Sequence, residues 1–291
     1  MPNIVDSEPF TFNEFEGQSL YIKGAGGKLG QDLGHVSAAC GLQVVPIAEE
    51  ANYVALCTPS YVAEELLASG TYANKTVIDL SGAAKRSGMG EYGLMRTESK
   101  PWNENIDVDA NIYGNPGCIA SAVLLGLAAA GLRGALTPTV GLIDALRPQT
   151  NISVFSVGGR SHTNAVEQDN IRLARRLTDH PHVQEIEKAS NGKLKVASFM
   201  PTMCDVPDGL MVGISGKLPY SMRLNEGAGE LSVQDVVGTH LLKHRLVYDK
   251  KQATTQRDID FSLAVVIDNI RFVTVNVMHL IRFLKKEREA A

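Results

Sequence analysis

One cysteine of this 291-residue chain lies where a helix is expected to begin. The stretch Tyr113-Gly114-Asn115-Pro116-Gly117 cannot continue a regular helix, whereas the apolar run 119–130 favours one, so Cys118 is predicted in the first helical turn. Backbone N–H groups without helical partners and the positive end of the helix dipole would stabilise a thiolate there, and the thiolate is the nucleophilic form of cysteine. The alternative is a small buried hydrophobic residue that opens a core helix.

A glycine-rich turn near the N-terminus indicates a phosphate-binding site. The turn Gly24-Ala25-Gly26-Gly27-Lys28-Leu29-Gly30 follows a predicted strand, Ser19–Lys23, and precedes a helix predicted over 31–40. Glycines three residues apart are typical of turns in which the bare backbone and a helix N-terminus approach a pyrophosphate. An ordinary tight turn is the other interpretation, but the flanking strand and helix favour a dinucleotide site.

The elements around this turn alternate between strand and helix. Further strands are predicted over 42–47, 53–57 and 76–81, with a helix over 61–69, and this alternation predicts a parallel, doubly wound sheet. Asp79 either caps the loop after its strand or faces the ligand crevice at the strand ends. Glu49 and Glu50 either meet ribose hydroxyls or lie in a solvated loop.

The rest of the chain predicts a second domain. Residues 85–105 are predicted to form a long surface connection; the later strands are predicted over 139–145, 151–157, 196–200, 209–215 and 261–268, and the later helices over 165–177, 183–190, 233–243 and 273–286. The fold is therefore predicted as α/β, with a Rossmann-type doubly wound parallel sheet in a dinucleotide-binding domain of residues 1–117 plus 270–291. Residues 118–269 are predicted to form an α+β domain for catalysis, substrate binding and oligomerisation.

Composition favours small-molecule chemistry. The formal net charge is -4 and the basic residues are scattered, which argues against a nucleic-acid or anionic-membrane partner. The four cysteines have neither CxxC pairing nor metal-ligand spacing, so free thiols, no metal site and a cytoplasmic location are predicted. No apolar run reaches membrane-spanning length.

Several motifs together resemble a known family. They are Gly24-Ala25-Gly26-Gly27 with Gly30, Val77-Ile78-Asp79-Leu80-Ser81, Asn115-Pro116-Gly117-Cys118, His180-Pro181-His182 followed by Glu185-Ile186, and Ile267-Asp268-Asn269. Their order is similar to that in N-acetyl-gamma-glutamyl-phosphate reductases, within the wider class of aspartate-semialdehyde dehydrogenase-like proteins. The resemblance implies an NADPH-dependent reduction of an acyl phosphate, N-acetyl-glutamyl 5-phosphate, to its semialdehyde through a cysteine thioester, in arginine biosynthesis.

The resemblance also implies roles for individual residues and a homo-oligomer, either a dimer or a tetramer. Cys118 would be the nucleophile and His182 the acid/base, whereas a lone histidine such as His180 is expected to be a packed or surface residue. The expected contacts to NADP(H), with NAD(H) as the alternative cofactor, are Gly24, Ala25, Gly26, Gly27, Lys28, Leu29, Gly30, Thr58, Pro59, Ser81 and Asn269. The expected substrate contacts are Asn115, Ser156, Gly158, Gly159 and Arg160, of which Arg160 fits a surface arginine equally well.

The chain also departs from the family's pattern. The segment between Val45 and Tyr53 is shorter than the corresponding segment of the family. A glycine-rich cofactor loop of the family is replaced here by Ile270-Arg271-Phe272-Val273-Thr274-Val275-Asn276. Met200-Pro201-Thr202 and Ile119 also differ from the usual residues, so a divergent member with altered substrate or cofactor handling is predicted. The alternatives are a reductase of another acyl phosphate, of the aspartyl or aminoadipyl type, and a non-catalytic nucleotide-binding relative.

Overall fold

The computed structural model describes residues 10, 14–97, 100–131, 150–159, 172–173, 180–204, 208–219, 226–227, 229–248 and 258–291. The strands are β1 Ser19–Lys23, β2 Gln43–Val44, β3 Tyr53–Leu56, β4 Thr76–Asp79, β5 Glu91–Tyr92, β6 Met95–Thr97, β7 Lys100–Pro101, β8 Ile112–Gly114, β9 Thr150–Gly158, β10 Arg172–Leu173, β11 Leu194–Met203, β12 Leu210–Pro219, β13 Leu242–Tyr248 and β14 Asp258–Ile267. The α-helices are α1 Lys28–Ala39, α2 Ser60–Ala68, α3 Ala83–Ser87, α4 Cys118–Ala130, α5 Pro181–Ala189 and α6 Arg271–Ala290.

The chain divides into two compact units, one of residues 1–117 and 270–291 and the other of residues 118–269. The first unit contains a six-stranded sheet in the order β2-β1-β3-β4-β8-β5, and every neighbouring pair is parallel. Its central strands β3 and β4 are buried along their whole length, as expected of apolar strands covered on both faces. The predicted doubly wound parallel sheet is confirmed.

Helix α6 completes the first unit from the far end of the sequence. It packs against α1, where the Arg271 guanidinium donates to both carboxylate oxygens of Asp32 and the Thr274 hydroxyl donates to the same carboxylate. The apolar positions of α6, including Val277, Leu280 and Leu284, are fully buried. The predicted C-terminal helix is therefore present, and it packs on the first unit.

The second unit is built on a mixed sheet in the order β10-β11-β9-β12-β14-β13. Strands β9 and β11 are parallel and the other neighbours are antiparallel. Helices α4 and α5 pack against this sheet and against each other. A Cβ at Gly126 would clash with the Val265 Cγ2 atom, so α4 approaches β14 closely only because this residue is glycine. The predicted α+β architecture of this part is confirmed.

Two local predictions are wrong. Residues 233–243 are not a helix: a 3₁₀ turn, Val233–Asp235, stops before Gly238, whose φ is +76°, and β13 begins at Leu242. Arg172–Leu173, inside the helix predicted over 165–177, form strand β10 against Met203 and Thr202. The rest of that segment and the strand predicted over 139–145 lie outside the described residues.

Residues 85–105 are more than a surface connection. They contain the end of α3 and the short strands β5, β6 and β7, and Leu94 and Met95 are fully buried. Polar and glycine residues dominate this stretch, so the sequence pattern did not predict that Leu94 and Met95 would be buried. Among the described helices, none combines the length and the apolar composition needed to cross a bilayer.

Candidate active site

Cys118 is the first residue of α4, as its sequence context predicted. The turn before it is held by Asn115, whose backbone N–H donates to the Asp79 carbonyl at 2.9 Å. The Asn115 side-chain amide donates to the Val273 carbonyl at 3.2 Å and accepts from the Asn276 amide at 2.7 Å. Asn115 is 1% exposed and its amide is engaged on both sides, so this predicted substrate contact supports the turn that precedes the cysteine.

His182 lies beside Cys118 and makes a hydrogen bond with it. On its other side, His182 Nδ1 is 3.2 Å from the Oε2 atom of Glu185, whose side chain is 5% exposed. Positions three apart on a helix share a face, which is how α5 brings the imidazole and the carboxylate together. Nucleophile, base and orienting group thus stand in a row, which is the arrangement that activates a cysteine nucleophile.

The charge on His182 is set by its two neighbours. Burial disfavours the imidazolium, but the hydrogen bond with Cys118 and then the one with Glu185 outweigh it and raise the pKa of His182 to about 9. Near neutral pH the ring therefore holds its proton opposite the sulfur. This charge state suits a thiolate–imidazolium pair.

Two of the other cysteines are in unfavourable surroundings for a nucleophile. Burial raises the pKa of the Cys40 thiol to about 11, and the Glu14 carboxylate acts in the same direction. Burial together with the Asp79 carboxylate raises the pKa of the Cys57 thiol to about 12. Both remain protonated at neutral pH, so neither competes with Cys118 as a thiolate.

His180 has a structural role in this arrangement. It is the N-cap of α5, and its Nδ1 accepts a hydrogen bond from the His182 backbone N–H at 3.3 Å. Its ring lies near the rings of His182 and Phe199, with centroid distances of 5.0 and 4.9 Å. His180 thus fixes the backbone and one ring face of His182, in keeping with its expected packed character.

The glycine turn closes on its own backbone at two positions. Gly24 has a φ of +93°, and a Cβ there would clash with the Cys57 carbonyl oxygen; a Cβ at Gly30 would clash with the Gly24 carbonyl oxygen. Gly26 and Gly27 are exposed instead, and a Cβ at Gly26 would meet no atom within 4 Å. The turn therefore needs glycine at its ends for folding and leaves an open face in the middle.

This open face fits an anionic ligand such as a pyrophosphate. Gly27 is the N-cap of α1 and provides no side-chain hydrogen bond to the first helical N–H groups, and Lys28 begins the helix. Thr58 lies next to the turn, since its Cγ2 atom is 3.3 Å from where a Cβ atom on Gly24 would be. Its buried Oγ1 atom has no hydrogen-bond partner among the described residues. Ala25 and Leu29 lie within the same turn and first helical residues.

The residues that follow β4, among them the predicted cofactor contact Ser81, form hydrogen bonds within the loop that leads to α3. Asp79 accepts hydrogen bonds from the Ser81 N–H, the Ser81 hydroxyl and the Ala84 N–H, so it caps the loop into α3, the first of the two interpretations above. The Ser81 hydroxyl also accepts from the Ala83 N–H. Pro59 is the N-cap of α2. Among these residues, Thr58 is the one with an uncommitted buried hydroxyl.

Glu49 and Glu50 lie exposed in a 3₁₀ turn. The Lys75 ammonium group donates to the carbonyl oxygens of Glu49 and Ala51, each at 2.8 Å, which fixes the backbone of the turn. The carboxylates face solvent, in agreement with the solvated-loop interpretation.

The predicted contacts of the second unit gather at the carboxyl end of β9. Ser156 is 1% exposed, and the Gly159 N–H donates to the Gly209 carbonyl at 2.9 Å. The Asn269 side-chain oxygen accepts from the Gly209 N–H at 3.1 Å, so this predicted cofactor contact lies in the same cluster. Gly158 accepts from the Cys204 N–H. Arg160 lies outside the described residues.

Sequence reasoning missed the part that Glu185 plays in the site. Its spacing of three from His182 on a predicted helix is a sufficient signal that the two side chains share a face. The anchoring of Asn115 by Asn276 had no such signal, since the two residues are 161 positions apart.

The fold is similar to that of solved aspartate-semialdehyde dehydrogenases. Aspartate-semialdehyde dehydrogenase II from Vibrio cholerae has a TM-score of 0.64 at 14% identity, covering 93% of this chain and 98% of that one. Aspartate-semialdehyde dehydrogenase with NADP from Candida albicans has a TM-score of 0.60 at 12% identity, covering 93% of this chain and 99% of that one. At these identities the likeness establishes the fold alone.

Curated relatives narrow the comparison. No family model matches the chain. N-acetyl-gamma-glutamyl-phosphate reductases of Bacillus cereus and Bacillus anthracis are each 28% identical over 211 residues, which is 64% of this chain. The match spans 58% of the relatives' own length, somewhat more than half. The resemblance stated from the sequence motifs is confirmed.

Proposed function

We propose that this protein is an NADPH-dependent reductase that converts an acyl phosphate into an aldehyde and phosphate. The observation that carries the proposal is the row of Cys118, His182 and Glu185 at the start of α4. The two curated relatives, both named N-acetyl-gamma-glutamyl-phosphate reductase, support N-acetyl-glutamyl 5-phosphate as the substrate and arginine biosynthesis as the pathway. We further propose a cytoplasmic homo-oligomer in which the first unit binds the dinucleotide and the second unit carries out catalysis.

The first half of the reaction forms an acyl-enzyme. The Cys118 thiolate attacks the carbonyl carbon, a C–S bond forms, the bond from carbon to the phosphate oxygen breaks, and phosphate leaves. The His182 imidazolium, oriented by Glu185, lies where it can stabilise the negative charge that develops on the reacting groups. Ser156, Gly158, Gly159 and Arg160 are proposed to bind the substrate.

The second half reduces the thioester. NADPH, when bound, supplies the hydride that converts the thioester into a thiohemiacetal. We assign the turn of residues 24–30, together with Thr58, Pro59, Ser81 and Asn269, to holding this cofactor, and the open face at Gly26 supports that assignment. His182 holds the proton needed at the thiohemiacetal oxygen, and collapse of that intermediate releases the aldehyde and restores the thiolate.

The reverse reaction offers a direct assay. Purified protein is incubated with NADP⁺, phosphate and N-acetyl-glutamate semialdehyde, and NADPH formation is followed by its absorbance. We expect turnover that is abolished in Cys118→Ser, whereas Cys204→Ser, which changes another free cysteine of the second unit, retains it. Aspartate and aminoadipate semialdehydes, run in parallel, identify the substrate. Turnover that persists in Cys118→Ser would contradict the proposed nucleophile.

Thermal unfolding separates the non-catalytic alternative. A ligand that binds only the native state raises the unfolding temperature, so a cofactor-using reductase must be stabilised by NADP⁺ or NAD⁺. Stabilisation by a dinucleotide without turnover of any of the three semialdehydes would favour a nucleotide-binding relative. Comparing the two cofactors in the same experiment also decides between NADP(H) and NAD(H).

A further inference from the structure

We propose that the Cys118 site has a second activity, which is the hydrolysis of its acyl-enzyme to a carboxylic acid when no hydride is delivered. This inference rests on the proposed function, because it requires the acyl-enzyme at Cys118. The protein then acts on acyl phosphates and activated esters as a hydrolase that needs no nicotinamide cofactor. Glu185, the third member of the row, orients His182 for this hydrolysis.

The geometry gives His182 what a hydrolytic base needs. Its Nδ1 is engaged with the Glu185 carboxylate at 3.2 Å, so Nε2 is the nitrogen available to the sulfur and to a water molecule beside it. The carboxylate fixes the ring orientation and stabilises the imidazolium that forms when the ring takes a proton, as the third group of a hydrolase triad does. His180 holds the backbone N–H and one ring face of the same residue.

The charge of the sulfur decides whether His182 is an acid or a base. The hydrogen bond and the negative charge of Cys118 both raise the pKa of the imidazole, while burial lowers it. Acylation converts the sulfur into a neutral thioester and removes both of the Cys118 contributions. The pKa of His182 then falls, so a larger fraction of the rings releases its proton and can act as a general base toward water, while a ring that still holds its proton serves the reductive step.

The hydrolytic step balances without an oxidant or a reductant. His182 takes one proton from water, the water oxygen adds to the thioester carbonyl, and the tetrahedral intermediate expels Cys118 as a thiolate. The products are the carboxylic acid and the starting thiolate–imidazolium pair. Access for water is available, since the His182 side chain is 18% exposed and Cys118 is partly exposed.

The test follows p-nitrophenyl acetate without any nicotinamide. We expect an initial burst of about one nitrophenolate per subunit as Cys118 is acylated, followed by steady release as the acetyl-enzyme is hydrolysed. Cys118→Ser removes the burst, and Cys204→Ser retains both phases. Glu185→Gln retains a burst but slows steady release by about 10²-fold, because the base loses its orienting charge.

The outcomes separate the two proposals. A burst without steady release overturns the hydrolase inference and leaves the proposed reductase intact. Nitrophenolate release no greater than that of Cys118→Ser contradicts the acyl-enzyme and therefore both proposals. The pH profile of steady release in the unmodified protein serves if Glu185→Gln fails to fold. We expect the rate to rise with loss of one proton, because the unprotonated imidazole of His182 is the base. A rate of steady release that does not change with pH overturns the inference.

Discussion

At the scale of single residues, the histidine that faces Cys118 carries a charge that links the site to stability. The pKa of His182 rises from 6.5 to about 9 on folding, so the folded protein binds this proton more tightly than the unfolded chain does. The stabilisation is complete below pH 6.5 and is lost as the pH rises toward 9. Its direction is opposite to that of a carboxylate held in an ion pair.

The corresponding prediction compares the unmodified protein with His182→Gln. The difference in unfolding free energy between the two proteins is expected to be largest at pH 6.5 and below, and to shrink as the pH approaches 9. Chemical denaturation at several pH values measures it. A difference that grows with pH would show that the imidazole is not held protonated by Cys118 and Glu185.

Two glycines of the same turn are expected to behave differently. Gly24→Ala forces a side chain into a left-handed φ and against the Cys57 carbonyl, so it should destabilise the fold by about 1–3 kcal/mol. Gly26→Ala adds a methyl group in open space, so unfolding should change by less than about 0.5 kcal/mol. The same methyl group would nevertheless occupy the face assigned to the pyrophosphate and weaken NADP⁺ binding by about tenfold or more.

Denaturation and a titration with NADP⁺ check this pair of variants. Unchanged cofactor affinity in Gly26→Ala would mean that the open face of the turn is not the pyrophosphate site. Gly24→Ala is the matched variant in which loss of binding accompanies loss of stability.

At the scale of elements, α4 sets the position of the nucleophile. Its helical character was predictable because a stretch rich in alanine, leucine and valine follows two glycines and a proline. How closely α4 approaches the sheet was not predictable, since it depends on the contact of Gly126 with Val265, which is far away in the sequence. The helix predicted over 233–243 is wrong for a local reason, because Gly238 has a positive φ that ends a helix. The residues that follow are a strand, in which Leu242, His244 and Leu246 are buried at alternate positions.

The prediction at this scale is a steric coupling between Gly126 and Val265. Gly126→Ala should cost about 1–3 kcal/mol of stability, because its methyl group clashes with a rigid β-branched side chain. Adding Val265→Ala makes room for that methyl group, so the double variant should lose less stability than the sum of the two single losses. Urea denaturation of the four proteins measures the coupling, and strict additivity would contradict the contact.

At the scale of the whole molecule, the first unit joins two stretches that are far apart in the sequence. The amide of Asn276 on α6 donates to the Gly93 carbonyl at 2.8 Å and to the Asn115 side chain at 2.7 Å, and it accepts from the Met95 N–H at 2.9 Å. Helical periodicity predicted α6 itself, but no local pattern identifies which buried amide meets which loop. Such long-range partners are the part of the fold and of the site that this sequence alone could not supply.

Removal of that amide is expected to weaken the first unit most. Asn276→Ala leaves buried polar groups without partners, each worth about 1–3 kcal/mol, whereas Glu287→Ala changes an exposed position of the same helix and should have little effect. Hydrogen exchange measured by mass spectrometry locates the loss. We expect reduced protection in residues 14–117 and 270–291, and unchanged protection there would contradict the anchoring role of Asn276.

The most direct test of the central claim is the intact mass of the protein after exposure to N-acetyl-glutamyl 5-phosphate in the absence of NADPH. With the acyl phosphate in excess, so that acylation outpaces hydrolysis of the acyl-enzyme, we expect the added mass of one acyl group per chain, located on Cys118, absent in Cys118→Ser and removed when NADPH is supplied. An acyl group that still forms in Cys118→Ser, or an unmodified protein that gains no mass while binding NADPH, would contradict it.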